Sequence, residues 1–284
     1  MAPDPHVPDT CLSYDWNPIT TAASWVPFLG GLAGFVFAGI IVTLSVRTSG
    51  KAEAANALKL LFVAFFSLVV AAYLFATAAG EQTCPRAETE QAYTGAVLAT
   101  AIVCMITSLS WLIVAYERHH DGVLSFLRKL IYFSLVLATV MLAVSATSYV
   151  DSIYQGTNHL TFNITIYIVT GLGLMISSII LVIRRNKVAS TRQATWVNAL
   201  ALTSLSYLAI ASIVTGVILS IPSKHWYPEP SHWFIYTTGW VVFVLPVAVL
   251  GVSLPAIART PITPPQPSKS GWLGLIRRAQ RRQS

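Results

Sequence analysis

The sequence predicts an all-α, polytopic integral membrane protein with seven transmembrane helices, its N-terminus outside and its C-terminus in the cytoplasm. Three observations carry this expectation. Of 284 residues, 10% are charged and 55% hydrophobic, with a mean hydropathy of +0.64; a soluble domain is about a quarter charged. Seven long stretches contain no Asp, Glu, Lys or Arg. The Lys and Arg residues between those stretches fall almost entirely on one side.

The charge-free stretches are 16–46, 60–80, 91–116, 130–150, 152–183, 193–223 and 230–258. Their apolar cores place spans near 25–46, 58–79, 93–115, 130–150, 164–183, 197–221 and 233–257. Each has about the 20 residues that cross a hydrocarbon core at roughly 1.5 Å per residue. Each is continuously apolar rather than alternating, which selects helices over barrel strands. The stretch ahead of the first span has no basic n-region and no small-residue cleavage site after a short apolar run, so that span is expected to be retained. The organisation that follows is an extracytoplasmic tail over 1–24, a bundle over 25–258, and a cytoplasmic Pro-rich linker with a basic amphipathic tail over 259–284.

Orientation comes from the cations. With the N-terminus outside, Arg86 and Lys224 are the outer exceptions among 18 Lys and Arg; the others fall inside, in a strong positive-inside bias. The formal charge of +7, sorted in this way, points to a membrane surface and not to nucleic acid. Asp4, Asp9, Asp15, Glu81, Glu88, Glu90, Asp151 and Glu229 make the outer side net acidic. Trp25, Tyr93, Tyr149, Trp226, Tyr227 and Trp233 near outer boundaries, with Tyr116, Tyr132 and Trp196 near inner ones, read as interfacial belts. The expected location is the plasma membrane.

Cys11 and Cys84 both fall on the outer, oxidising side, where a disulfide between them would staple the tail over the mouth of the bundle. Cys104 reads as a small packing residue in helix 3. His225, Glu229 and His232 form the outer-face candidate site, with His159 from a neighbouring loop. Their residue types suit zinc or copper, but the two prolines among them match no recognised ligand spacing. No metal or cofactor is expected.

At the inner end of helix 3, Glu117-Arg118 resembles the acidic–arginine pair of G-protein-coupled receptors. Helix 7, however, lacks Asn-Pro-x-x-Tyr, and it lacks the lysine that a retinal Schiff base needs. No family is assigned. Gly30, Gly34 and Ala38 form a small-residue row on helix 1, read as packing within the bundle, with a homodimer through helix 1 as the alternative. Gly171, Gly173 and Gly216 read similarly. Pro246 is expected to kink helix 7. In the tail, Trp272, Leu275, Ile276 and Ala279 share one helical face, and Arg277, Arg278, Arg281 and Arg282 fill the other. This suits the anionic inner leaflet at about 1 kcal/mol per cation.

Ionisable groups within spans mark proton relays and ion pathways; the seven charge-free stretches hold no acidic or basic residue, and their histidines, His159 and His232, lie at outer edges. Neutral hydroxyls do occur: Thr107, Ser108 and Ser110; Ser145, Thr147 and Ser148; Ser177 and Ser178; Thr203, Ser204 and Ser206; Thr237 and Thr238. Three function classes fit. The favoured one is a non-enzymatic membrane protein, a sensor, accessory subunit or scaffold that works with another membrane protein. The second is a transporter or permeation pathway for a neutral or lipophilic solute, lined by these hydroxyls. The third is an interfacial enzyme using the outer histidine cluster or Glu117, His119, His120 and Asp121.

Overall fold

A computed structural model describes residues 17–45, 51–116, 121–153, 160–184, 190–221 and 232–257. They form seven α-helices: α1 Pro18–Ser45, α2 Lys51–Ala79, α3 Cys84–Tyr116, α4 Asp121–Ile153, α5 Leu160–Arg184, α6 Ser190–Ser220 and α7 His232–Ala256. Six are long and apolar enough to cross a bilayer; in α5 the apolar stretch Leu160–Met175 is shorter. The chain is a multi-pass membrane protein of helical type.

Several helices outrun the spans expected for them. α1 starts at Pro18 because Asn17 caps it: the Asn17 side-chain oxygen accepts from the Ile19 and Thr20 N–H groups at 2.9 and 3.3 Å. Proline follows in the first helical position, where its missing N–H costs nothing. α3 starts at Cys84 rather than near 93, and α4 at Asp121 rather than near 130. At 33 residues each, both are roughly 50 Å long against a hydrocarbon core of about 30 Å. A charge ends an apolar run, but it does not end a helix whose outer turns stand in the headgroup layer.

Hydrogen bonds and packing arrange the helices with alternating direction. One end of the bundle gathers the starts of α1, α3, α5 and α7 with the ends of α2, α4 and α6. There Gln91 donates to the Pro18 carbonyl, Arg86 meets the end of α6, and Asn163 at the start of α5 meets Asp151 at the end of α4. At the opposite end Lys59 Nζ donates to Asn198 Oδ1 at 2.9 Å, joining α2 to α6. The Trp111 indole N–H there donates to the Ala256 carbonyl at 2.8 Å and closes the end of α7. We call the first the acidic end and the second the basic end. α3 is the hub, packing against α1, α2, α4, α6 and α7.

The bundle is apolar outside as well as in its core, unlike a soluble protein. Large apolar side chains cover its outside, with Phe35 79% exposed, Ile213 67% and Phe133 63%. The interior holds hydroxyls at 0% exposure, among them Ser67, Thr94, Thr107, Ser204 and Thr215. Such an exterior belongs in lipid, where apolar surface carries no penalty.

The row Gly30, Gly34 and Ala38 does not pack within the bundle as expected. All three residues are exposed, and a Cβ added at Gly30 or Gly34 meets nothing within 4 Å; the same holds for Gly171, Gly173 and Gly216. The glycine that does serve close approach is Gly239 in α7, where an added Cβ would stand 2.9 Å from the Phe162 ring of α5. α7 runs unbroken through Pro246 and Pro255.

Candidate functional site

The polar side chains of this bundle concentrate at the acidic end, on the first three turns of α3. Because α3 starts at Cys84, the residues Arg86, Glu88, Thr89 and Glu90 belong to a helix in the middle of the bundle and not to a solvated loop. All four are buried, Glu90 at 0% exposure and Glu88 at 7%. Unpaired ionised groups in such a place cost several kcal/mol, so each needs a partner or a proton.

Arg86 supplies most of the pairing. Its guanidinium donates to the Leu219 carbonyl at 2.9 Å and the Ile221 carbonyl at 3.3 Å, carbonyls that the end of α6 leaves without helical donors. The same group faces Glu81 at 3.3 Å and Glu90 at 3.7 Å. The Glu90 contact is an ion pair rather than a hydrogen bond, and neither Glu90 oxygen has a hydrogen-bond partner within 3.5 Å among the described residues. Burial first, and then the neighbouring Glu81 charge, hold the Glu90 carboxyl above the ordinary range, against the opposing pull of Arg86. Both acids lie ahead of the apolar run that starts at Gln91.

Glu88 faces the other way, toward α4. Its Oε1 accepts a short hydrogen bond from the Ser152 hydroxyl, while Oε2 has no partner among the described residues. Burial lifts its carboxyl to about 7, and the Ser152 bond opposes the shift. Beside it is an open-sided cleft of about 330 Å³ between α3 and α4, lined by Glu88, Gln91, Ala92, Val144, Ser145, Ser148 and Tyr149. Ser145 and Ser148 stand on the exposed face of α4, so the cleft opens at the side of the bundle.

From Glu88 inward, a ladder of hydroxyls crosses the helices. Tyr149 on α4 lies 3.1 Å from the Thr89 hydroxyl. Tyr93 on α3 and Tyr149 both interact with Thr238 on α7, and Tyr207 on α6 neighbours Tyr93. The Tyr207 hydroxyl is buried without a partner among the described residues. Tyr93 and Tyr149, at 3% and 2% exposure, are therefore interior groups and not members of an outer belt. Trp25, stacked on Phe75 at a centroid distance of 6.0 Å and 37% exposed, does sit at the surface.

Among the described residues, four of the thirteen hydroxyls expected to line a pathway bond back onto their own helices. Ser108 donates to the Met105 carbonyl, Ser110 to that of Thr107, Thr147 to that of Val144, and Thr203 to that of Ala199. This leaves them little capacity to line a pathway. Ser145 and Ser148 differ, because they line the lateral cleft. A second, apolar cavity of about 70 Å³ lies among α4, α5 and α7, beside Leu135, Gly173 and Leu250.

Cys84 is disulfide-bonded and buried at 1% exposure. Cys104 is a free, fully buried thiol, 3.3 Å from the Ser204 hydroxyl. Cys11 lies outside the described residues, as do His159, His225 and Glu229, the inner Glu117, His119 and His120, and the tail residues Trp272, Arg277, Arg278, Arg281 and Arg282. His232 begins α7 and Asp121 begins α4, but their side chains are not among those described. Among the described residues, no group of three or more His, Cys, Asp or Glu gathers as metal ligands.

The buried Arg86–Glu88–Glu90 group escaped the sequence reading because counting charge-free runs assigns every charge to a loop. One signal pointed to it: Arg86 is an outer-side cation against the positive-inside trend, with acids at 81 and 90 placed to hold it. No protein-family model, curated protein or solved structure matches the chain.

Proposed function

We propose that this chain is a non-enzymatic plasma-membrane protein, acidic end outside and basic tail in the cytoplasm, which acts as a sensor, accessory subunit or scaffold through that acidic end. The observation that carries this reading is the two buried carboxyls Glu88 and Glu90, three of whose oxygens have no hydrogen-bond partner within 3.5 Å among the described residues, at the end of the bundle where all the odd helices start. Ionisable groups retained in so unfavourable a place are functional by default. The orientation rests on the cation bias. We assign Cys11 as the partner of Cys84, since the chain has three cysteines and Cys104 is free; the bond ties the N-terminal tail to the rim of the site. The tail's Trp272 face and its Arg277, Arg278, Arg281 and Arg282 are assigned to anionic inner-leaflet lipid.

Mild-detergent purification from the native membrane tests the reading. Wild-type protein should retain a stoichiometric partner or ligand that the Glu88→Gln, Asp151→Asn double variant loses. Wild-type protein that purifies alone, with no bound species, contradicts it.

A permeation pathway is the second reading. It is favoured by the hydroxyl ladder, which runs from Glu88 to the unpartnered Tyr207 about halfway down α6. It requires proteoliposomes to take up small neutral polyols at a rate that Tyr207→Phe lowers; uptake equal to that of protein-free vesicles removes it.

A further inference from the structure

We propose that the cleft between α3 and α4 at the acidic end is a binding site for a primary ammonium group. The inference rests on the reading of that end as the working face and names what it recognises. Three features select the ligand class.

The first is the unpartnered acceptor. Glu88 is 7% exposed and lines the cleft, and its Oε2 is buried without a hydrogen bond among the described residues. A buried carboxyl oxygen with an unused lone pair beside an open cleft is completed by a donor, and most strongly by a charged one.

The second is the sign of the surroundings. Among the described residues Glu88 is the one carboxyl on the cleft wall, which carries no cation, and Asp151 stands one turn beyond Ser148 on α4. The nearby cation, Arg86, is engaged with the end of α6 and with Glu81 and Glu90. An anionic ligand would meet a carboxyl and find no counter-charge.

The third is the donor count. Gln91 uses one amide N–H on the Pro18 carbonyl, and its carbonyl oxygen remains an acceptor. Together with Glu88 Oε2 and the exposed hydroxyls of Ser145 and Ser148, this makes a set of oxygen acceptors matched to the three N–H donors of an ammonium. A quaternary ammonium has no N–H to offer. At about 330 Å³ the space is too large for a bare metal ion and is at the small end of organic ligand sites. Ala92 and Val144 supply apolar walls for the carbon atoms beside the nitrogen.

Such an ammonium can come from a phospholipid headgroup, since the cleft opens sideways at the edge of the apolar belt, or from a soluble amine. The experiment uses full-length protein in nanodiscs of phosphatidylcholine, with or without phosphatidylethanolamine. Lipid retained by the protein is read by native mass spectrometry, and ethanolamine binding is read by thermal shift. Two variants accompany the wild type. Glu88→Gln removes the charge at nearly constant shape. Ser148→Phe plugs the mouth from an exposed position, and decides the matter if Glu88→Gln does not fold.

The expected result is retention of phosphatidylethanolamine about tenfold over phosphatidylcholine, the effect of one charge-assisted hydrogen bond, with the preference lost in both variants. Ethanolamine binding with the same sensitivity to the variants, and no lipid preference, assigns the soluble source. No preference for either amine, or a preference that both variants keep, overturns the proposal. Nanodiscs expose both faces of the protein, so an error in the assigned orientation leaves this measurement unaffected. A wild-type protein that binds amine yet purifies from its native membrane without a partner separates the two claims.

Discussion

Arg86 joins three elements through one side chain: it closes the last carbonyls of α6, pairs with Glu81 beyond α2, and faces Glu90 on its own helix. Removing it uncovers a buried carboxyl and two carbonyls at once. Arg86→Ala is therefore expected to lower the unfolding free energy by about 3–5 kcal/mol, measured by denaturation in mixed micelles. Arg86→Lys should recover only part of that, because one ammonium cannot reproduce the forked contacts; full recovery would refute the role. Glu88 gives a pH signature. Its carboxyl in the folded protein titrates near 7 against an ordinary 4.5, so between those values the folded state holds a proton that the unfolded state has released. Stability is thus fully present below pH 4.5 and falls as pH rises toward 7. Melting temperatures in amine-free detergent should decline over that window, and Glu88→Gln should make the decline shallower, leaving the share of Glu90, whose carboxyl is also held above its ordinary range. Apart from the outer-side cation Arg86, little of this was legible as site chemistry in the sequence, which shows Glu88 and Glu90 as two acids in a row of outer acids. Burial became visible only once α3 was seen to begin six residues before Glu90.

The elements themselves were far more legible than their faces. Seven apolar runs mark seven helices because a membrane span must be long and uncharged, and both properties are local. Which side of a helix turns inward is not local. Tyr93 and Tyr149 lie near span ends by position, yet they face the bundle and join the hydroxyl ladder. Gly30 and Gly34 look like packing residues but face outward, while Gly239, unremarked in the sequence, lies under the Phe162 ring. Gly239→Ala should therefore cost about 1–3 kcal/mol, because its methyl overlaps a ring that is itself held by Tyr236 and Trp240 at 5.3 and 6.0 Å. Gly34→Ala, with open space around its Cβ, should change stability by less than about 0.5 kcal/mol. Equal effects at the two positions would contradict this account of how α5 and α7 meet.

At the scale of the whole molecule, the bundle is polar at one end and apolar around its girth, with buried hydroxyls scattered through an apolar core. Many interior hydroxyls are closed on their own helices, and the buried charged groups of the described residues, Arg86, Glu88 and Glu90, all stand at the acidic end. The disulfide belongs to the same picture. Non-reducing peptide mapping should return Cys11 joined to Cys84 with Cys104 unmodified, and a free Cys84 would remove the staple. The central claim is that the acidic end faces out and the basic tail faces the cytoplasm. The most direct test labels single introduced cysteines with a membrane-impermeant maleimide in sealed right-side-out vesicles. Gln82→Cys, at an exposed position of the acidic end, should label in intact vesicles, and Ser284→Cys only after permeabilisation; the reverse pattern would contradict the orientation on which the functional reading depends.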